Sequence, residues 1–358
     1  MTPLGTALAA RIARNGPISV SAFMEACLYD PAHGYYRTRD AIGREGDFIT
    51  APEISQAFGE LIGLWCAVVW QQMGAPSACR LVELGPGRGT LMRDAMRAAR
   101  AVPEFRRALD VHLVETNAAL EDQQRATLGD TDVTKTWHGD TRAMTRGAPT
   151  IVIANEFLDT LPVEQWVRRD GAWRLRCVGV NGEGRLGFVD GAPDSTRRPP
   201  SQIESAAREG DILESRDARL QTWSAELASL GAPLAALFID YGHVAPALGD
   251  TLQALRAHRY DDPLAAPGET DLTAQVDFSA VTAAMEGSGL VCDGPVTQAE
   301  FLGSLGIAER ASRLMAANPA QAALIESDVA RLMVPGGMGT RFHAIGVRSP
   351  GLASLPGF

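Results

Sequence analysis

The sequence predicts an α/β fold: a mostly parallel, seven-stranded sheet with helices on both faces, an N-terminal helical cap and an inserted region. Three observations predict it. From residue 79 onward, short apolar runs alternate with stretches of helical period, the pattern of strand–helix–strand units whose crossovers cover both faces of a parallel sheet. A glycine-rich turn, GPGRG (85–89), joins the first such run to the first such helix. A chain of 358 residues with 46% hydrophobic content is long enough for one enlarged domain or two and can bury a sizeable core.

The elements follow in order. TPLGTALAARIAR reads as an ordinary first helix, Thr2 at its N-cap and Pro3 in its first turn. PISVSAFMEACLYDPAHGYY holds a second helix, ended by Asp30-Pro31. Residues 53–74 carry Ile54, Phe58, Leu61, Ile62, Trp65, Val68 and Val69 at helical spacing, and Gly74 and Pro76 stop that helix. Seven apolar runs then read as strands: 79–85, 110–116, a short third within 132–140, 149–156, 232–242, 290–294 and 341–347. The fourth and fifth lie much further apart than the roughly 20 to 30 residues that one helix with its loops needs. Residues 163–231 are therefore expected to be an insertion on the substrate side. It contains a hairpin turning at Asp170-Gly171, a plausible exposed loop at 191–201 and a helix over 214–230. The expected division is a cap over 1–75, a core over 76–162 and 232–358, and the insertion between them.

Composition narrows the function. The net charge of −10 opposes phosphate backbones, so nucleic acid is not expected as a partner; RRDGAWRLR (168–176) is the best local basic patch. Lys135 is the lone lysine, which reads as codon bias. Five scattered cysteines form no CxxC and no metal spacing, as expected of thiols in a reducing compartment, and no metal is expected. The N-terminus lacks the pattern of a secretory signal, and the longest apolar run, LIGLWCAVVW (61–70), is too short to span a bilayer. The expectation is a soluble, cytoplasmic protein.

LVELGPGRGTL (81–91) fits the dinucleotide fingerprint only loosely, because Thr90 stands where Gly or Ala is wanted. What it does present is acidic-x-Gly-x-Gly-x-Gly: Glu83, Gly85, Gly87 and Gly89. This resembles the first motif of class I methyltransferases, which bind S-adenosylmethionine (SAM). A carboxylate at the strand end suits a ligand bearing an ammonium and a sulfonium and repels a pyrophosphate, so Glu83 and Thr90 disfavour an NAD enzyme. Glu115 ends the second strand, where a carboxylate can accept both ribose hydroxyls; the alternative is a solvated strand end. Asp140, just past the third strand, matches the place where such enzymes bond the adenine amino group, or it is a turn aspartate. Asn155 and Glu156 end the fourth strand, where acceptor chemistry belongs.

GDFITAPEISQAFGELIG, LVELGPGRGTL, HLVE, IANEFLDTLPVEQW, IDYGH and APGETDLTAQVDF together resemble the MidA family, in that family's order and across nearly the whole chain. The resemblance implies a class I, Rossmann-like methyltransferase fold with SAM as donor. It also implies an activity like that of the mitochondrial complex I assembly relatives, which methylate arginine of a protein subunit. Ala51 departs from the serine of many relatives, and no mitochondrial leader is evident, so a bacterial member is expected.

An arginine acceptor arrives charged, because its pKa lies above about 12. Carboxylates that grip it can orient one nitrogen and receive the proton that is lost. Glu156 is the first choice, with Asn155 beside it; the alternative is an ion pair supporting the loop. Asp240 at the end of the fifth strand joins them, or caps a turn. Glu53, Asp159, Asp271 and Asp277 are further acidic candidates and Thr273 a polar one, with loop capping as the alternative. Tyr241 either walls the pocket or packs, and His243 is a base or an exposed loop residue. Asp47, Thr50 and Glu53 are expected in a loop closing over the donor; Thr50 and Glu53 also read as a capping box. The alternative functions are a SAM-binding assembly factor that acts without turnover and a small-molecule methyltransferase.

Overall fold

The computed structural model describes residues 1–38, 49–129, 132–194, 199–256 and 259–358. They fall into two compact units. One gathers described residues of 49–157, 220–242 and 281–358; the other gathers those of 1–38, 158–219 and 243–280.

The first unit is built on the expected sheet: β1 (Cys79–Leu84), β2 (Leu109–Val114), β3 (Thr134–His138), β4 (Ala148–Asn155), β5 (Gly231–His243), β6 (Val291–Thr297) and β7 (Phe342–Arg348). Their spatial order is β3-β2-β1-β4-β5-β7-β6. The strands from β3 to β5 pair in parallel, and β7 runs antiparallel to both of its neighbours. β1 therefore has its sequence successor on one side and β4 on the other. That reversal opens a crevice outside the carboxyl ends of β1 and β4, where ligands of open α/β sheets bind.

Strand period assigns the faces. Leu81 and Glu83 of β1 lie opposite Ile151 and Ile153 of β4, and Ile239 of β5 lies opposite Asn155. Leu81, Ile151, Ile153 and Ile239 pack with Phe58, Ile62, Trp65 and Cys66 of the helix Gln56–Gln72. Glu83 and Asn155 share this face by the two-residue period. Phe238 points to the other face, where Trp223 of the helix Asp217–Leu230 meets it edge-on at 5.2 Å between ring centroids. Helices thus cover both faces.

Several expectations shift in detail. The helix expected over 53–74 is two, Ala51–Ile54 and Gln56–Gln72, parted by Ser55, which caps the second through Ala57 N–H. Val68, expected on its apolar face, is exposed. The capping box at Thr50 does not form: Thr50 holds the N-cap position without a side-chain bond, and the Glu53 carboxylate accepts from Thr90 instead of reaching back. The long helix groups with the sheet, not with the first 38 residues.

In the second unit the hairpin turns at Asp170 and Gly171, both with positive φ (51° and 71°), joining strands Glu164–Arg169 and Ala172–Val180. Further strands lie at Leu186–Pro193, which ends inside the expected loop at 191–201, and at Ile212–Ser215. Ile18 and Ser19 pair with Val178 and Cys177, so the N-terminal residues and the insertion share one sheet. The first helix is as expected, with Thr2 Oγ1 accepting from Gly5 N–H at 2.9 Å. The basic patch is neutralised: Arg168, Arg169, Arg174 and Arg176 pair with Glu204, Asp190, Asp170 and Asp250. No helix among the described residues is long and apolar enough to cross a membrane. Cys27, Cys66, Cys79 and Cys177 are buried, and burial pushes the Cys27 and Cys79 thiols up to about 12.

Candidate active site

The glycine turn leaves β1 at Leu84. Gly85, Gly87 and Gly89 take φ of 63°, 54° and 79°, left-handed conformations that side chains disfavour. Gly89 is the N-cap of the helix Thr90–Ala98, whose first N–H groups it leaves open. A Cβ on Gly85 would come within 3.3 Å of Phe157 Cδ2. The turn is thereby pressed against the residue that follows Glu156.

Beneath the turn, Glu83 is buried, and its Oε2 has no hydrogen-bond partner among the described residues. Desolvation pushes its carboxyl well above the usual range. A buried lone carboxyl is costly, and a cationic ligand would relieve that cost. Asn155 Oδ1, on the same face of the sheet, is likewise a buried acceptor with no partner among the described residues.

Glu115 follows β2. Its Oε1 accepts from the N–H groups of Thr116 (2.7 Å) and Asn117 (2.8 Å), and its Oε2 from Gln124 Nε2 at 3.1 Å. The carboxylate is therefore held in one orientation at the carboxyl end of the sheet. Asp140 caps the turn after β3: Oδ1 accepts from Arg142 and Ala143 N–H, and Oδ2 from the Arg142 side chain at 2.8 Å. Arg142 holds that carboxyl below its ordinary range. The turn reading of Asp140 describes these bonds in full.

The segment 49–54 reaches two parts of this crevice. Thr90 Oγ1 donates to Glu53 Oε1, tying the segment to the end of the glycine turn. Ala51 N–H donates to Glu156 Oε1 at 3.2 Å, and Asn155 Nδ2 donates to the same oxygen at 3.1 Å. Glu156 has φ +53°, a strained conformation for a side-chain-bearing residue and one found often at functional sites. Its N–H is anchored on Ile239 O at 2.9 Å. Asp240 is buried and accepts from the N–H groups of Phe157 (3.0 Å) and Tyr241 (2.9 Å). It fastens the turn that carries Glu156. Tyr241 packs against Phe342 at 5.5 Å. Thr50 carries the cap position ahead of Ala51, its carbonyl accepting from Glu53 and Ile54 N–H. Asp47 lies outside the described residues.

The remaining candidates fall in the second unit. Asp271 accepts from Tyr36 Oη at 2.8 Å, Asp159 and Thr273 are buried, and Gln253 Nε2 donates to Thr273 Oγ1 at 3.2 Å. Asp277 caps the helix Phe278–Gly287 through Ser279 and Ala280 N–H. His243 Nδ1 lies 2.6 Å from Ala245 O.

Sequence reasoning missed Gln124. It is fully buried and touches Gly87, Glu115 and Trp137. A signal was present: Leu120, Gln124 and Leu128 share one buried helical stripe, and an amide in such a stripe must find partners.

A family model described as S-adenosyl-L-methionine-dependent methyltransferase matches residues 61–296. Among curated relatives, the protein arginine methyltransferase NDUFAF7 of Danio rerio, a mitochondrial protein, is 35% identical over 95% of this chain and 85% of its own length. The human protein of the same name is 34% identical over 96% of this chain and 82% of its own. A methyl transferase-like protein of Burkholderia thailandensis, crystallised with S-adenosyl-homocysteine, superposes with a TM-score of 0.88 at 28% identity, covering 99% of this chain and 93% of that one. The glycine turn, the lone buried Glu83 and the held Glu115 fit that class of ligand. The chain belongs to the MidA-like family of class I, SAM-dependent methyltransferases.

Proposed function

We propose that this methyltransferase modifies an arginine side chain of a protein, with Glu156 and Asn155 gripping the guanidinium. Bound SAM supplies a methyl group already activated by its sulfonium. Glu83 neutralises the positive end of the donor from beneath the glycine turn, Glu115 accepts the ribose hydroxyls, and Asp140 stands near the base. Thr50 starts the short helix 51–54, which Ala51 and Glu53 tie to the crevice. Methylation leaves the guanidinium with one proton too many, and the Glu156 carboxylate receives it. Asp240 holds the Glu156 turn in place. The orphan Oδ1 of Asn155 accepts from a guanidinium N–H.

The observation that carries this reading is the strained Glu156, fixed at the end of β4 by Ala51 N–H and the Asn155 amide. The name shared by the curated relatives supports the arginine acceptor. We extend the proposal to a respiratory complex subunit as the protein modified, and to the cytoplasm of a bacterium as the place. The test is mass spectrometry of candidate proteins incubated with the enzyme and isotopically labelled SAM. Methylarginine formed by the wild type and absent with Glu156→Gln supports the reading. Labelled product on any other residue type overturns the arginine assignment, and unlabelled protein throughout favours an assembly factor that acts by binding.

A further inference from the structure

Gln124 is a buried side chain that touches the glycine turn and Glu115 together. Its Nε2 donates to Gly87 O at 2.7 Å and to Glu115 Oε2 at 3.1 Å, and its Oε1 accepts from Trp137 Nε1 at 2.9 Å. The three partners come from three segments: the turn after β1, the end of β2 and the edge strand β3. An indole N–H can only donate. Trp137 therefore compels the amide oxygen to face it, and the two N–H groups must face Gly87 and Glu115. The helix that carries Gln124 also runs close to the turn, since a Cβ on Gly89 would lie 3.5 Å from Gln124 Cα.

We infer that Gln124 is a positioning residue for the donor site, and that Trp137 sets the sense of its amide. It holds the Glu115 carboxylate and the Gly87 peptide in the geometry that receives the nucleoside. An isolated helix glutamine would gain nothing from full burial; here both ends of its amide are used. The inference rests on the reading that Glu115 accepts the ribose hydroxyls.

The experiment is calorimetric titration with S-adenosylhomocysteine of the wild type and the variants Glu115→Ala, Gln124→Met, Trp137→Phe and Gln124→Met/Trp137→Phe. Each is also titrated with the 2′,3′-dideoxy analogue. Gln124→Met keeps the volume and loses the amide. Its affinity for S-adenosylhomocysteine should fall about tenfold or more, the scale of losing a hydrogen bond to a charged group. Its affinity for the dideoxy analogue should fall clearly less. Trp137→Phe leaves the amide oxygen without its donor while Gly87 and Glu115 still hold Nε2, and should weaken binding by a smaller factor. The double variant should bind no worse than Gln124→Met, because the two act through one amide. A merely structural role would lower Tm in the variants and leave both affinities alone. Glu115→Ala weak with Gln124→Met within twofold of wild type would sink the positioning role alone. Glu115→Ala binding like wild type would sink the ribose assignment beneath it. Should Gln124→Met fail to fold, an unchanged affinity in Trp137→Phe overturns the inference.

Discussion

The backbone N–H of Ala51 donates to Oε1 of Glu156 at 3.2 Å, so a loop more than a hundred residues upstream fastens the carboxylate at the end of β4. That bond needs an oxygen, not a charge. Glu156→Gln keeps the acceptor and removes the proton-accepting group. Donor affinity should stay within about twofold, while methyl transfer falls roughly 10²–10⁴-fold, the usual contribution of a placed acid or base. Single-turnover kinetics beside a titration separates the two effects.

Glu53 and Thr90 form the second tether of that loop. Thr90→Val leaves the shape and removes the hydroxyl. The loss should cost about 1–3 kcal/mol in a denaturation curve, as for other partly buried bonds to a charged group. Glu53→Gln should add little on top of it. Additive losses in the double variant would show that the two residues act separately.

Glu83 carries a pH signature. Burial raises its folded carboxyl above the ordinary value, so between those two values the folded chain binds a proton that the unfolded chain has lost. Its contribution to stability is full below the ordinary carboxylate pKa and is lost as pH rises through the folded value. Glu83→Gln should flatten this decline in Tm as pH rises above the ordinary carboxylate range. In the wild type, a cationic ligand should expel the proton, so the apparent binding enthalpy should change with the ionisation enthalpy of the buffer. Buffer-independent enthalpies would mean that Glu83 keeps its proton.

Gly85 combines φ +63° with Phe157 at 3.3 Å from a would-be Cβ. Gly85→Ala should destabilise by roughly 1–2 kcal/mol from the backbone conformation alone. It should also weaken S-adenosylhomocysteine binding, because the added methyl displaces Phe157 or the turn. Equal losses in stability and affinity at Gly129, whose Cβ would meet nothing within 4 Å, would argue against a local effect.

Arg216 is buried in the second unit and donates to four carbonyls, those of Asp159, Leu161, Ala274 and Gln275. Arg216→Met takes this donor from all four, and among the described residues only Asp159 O keeps a second one, Ala274 N–H; a buried acceptor left unpaired costs about 1–3 kcal/mol. Hydrogen exchange should speed up over residues 158–163 and 271–277 first.

Much of this was legible from local pattern. The alternation of apolar runs with helical periods announced the parallel sheet, because side-chain period is a property of a dozen neighbouring residues. The left-handed turn was legible at Gly85, Gly87 and Gly89 because few other residues adopt those angles. Glu115 and Glu156 could be placed at the carboxyl ends of β2 and β4, since a strand's end is where its apolar run stops.

Only the tertiary structure decided the rest. The bond of Glu53 to Thr90 in place of a capping box, the pairing of Ile18–Ser19 with residues 177–178, and the placing of β7 between β5 and β6 all join segments distant in the chain. Gln124 read as one more polar helix residue until its partners were in view. Partnership across such separations depends on chain topology and burial, and the period of a short stretch carries no record of either.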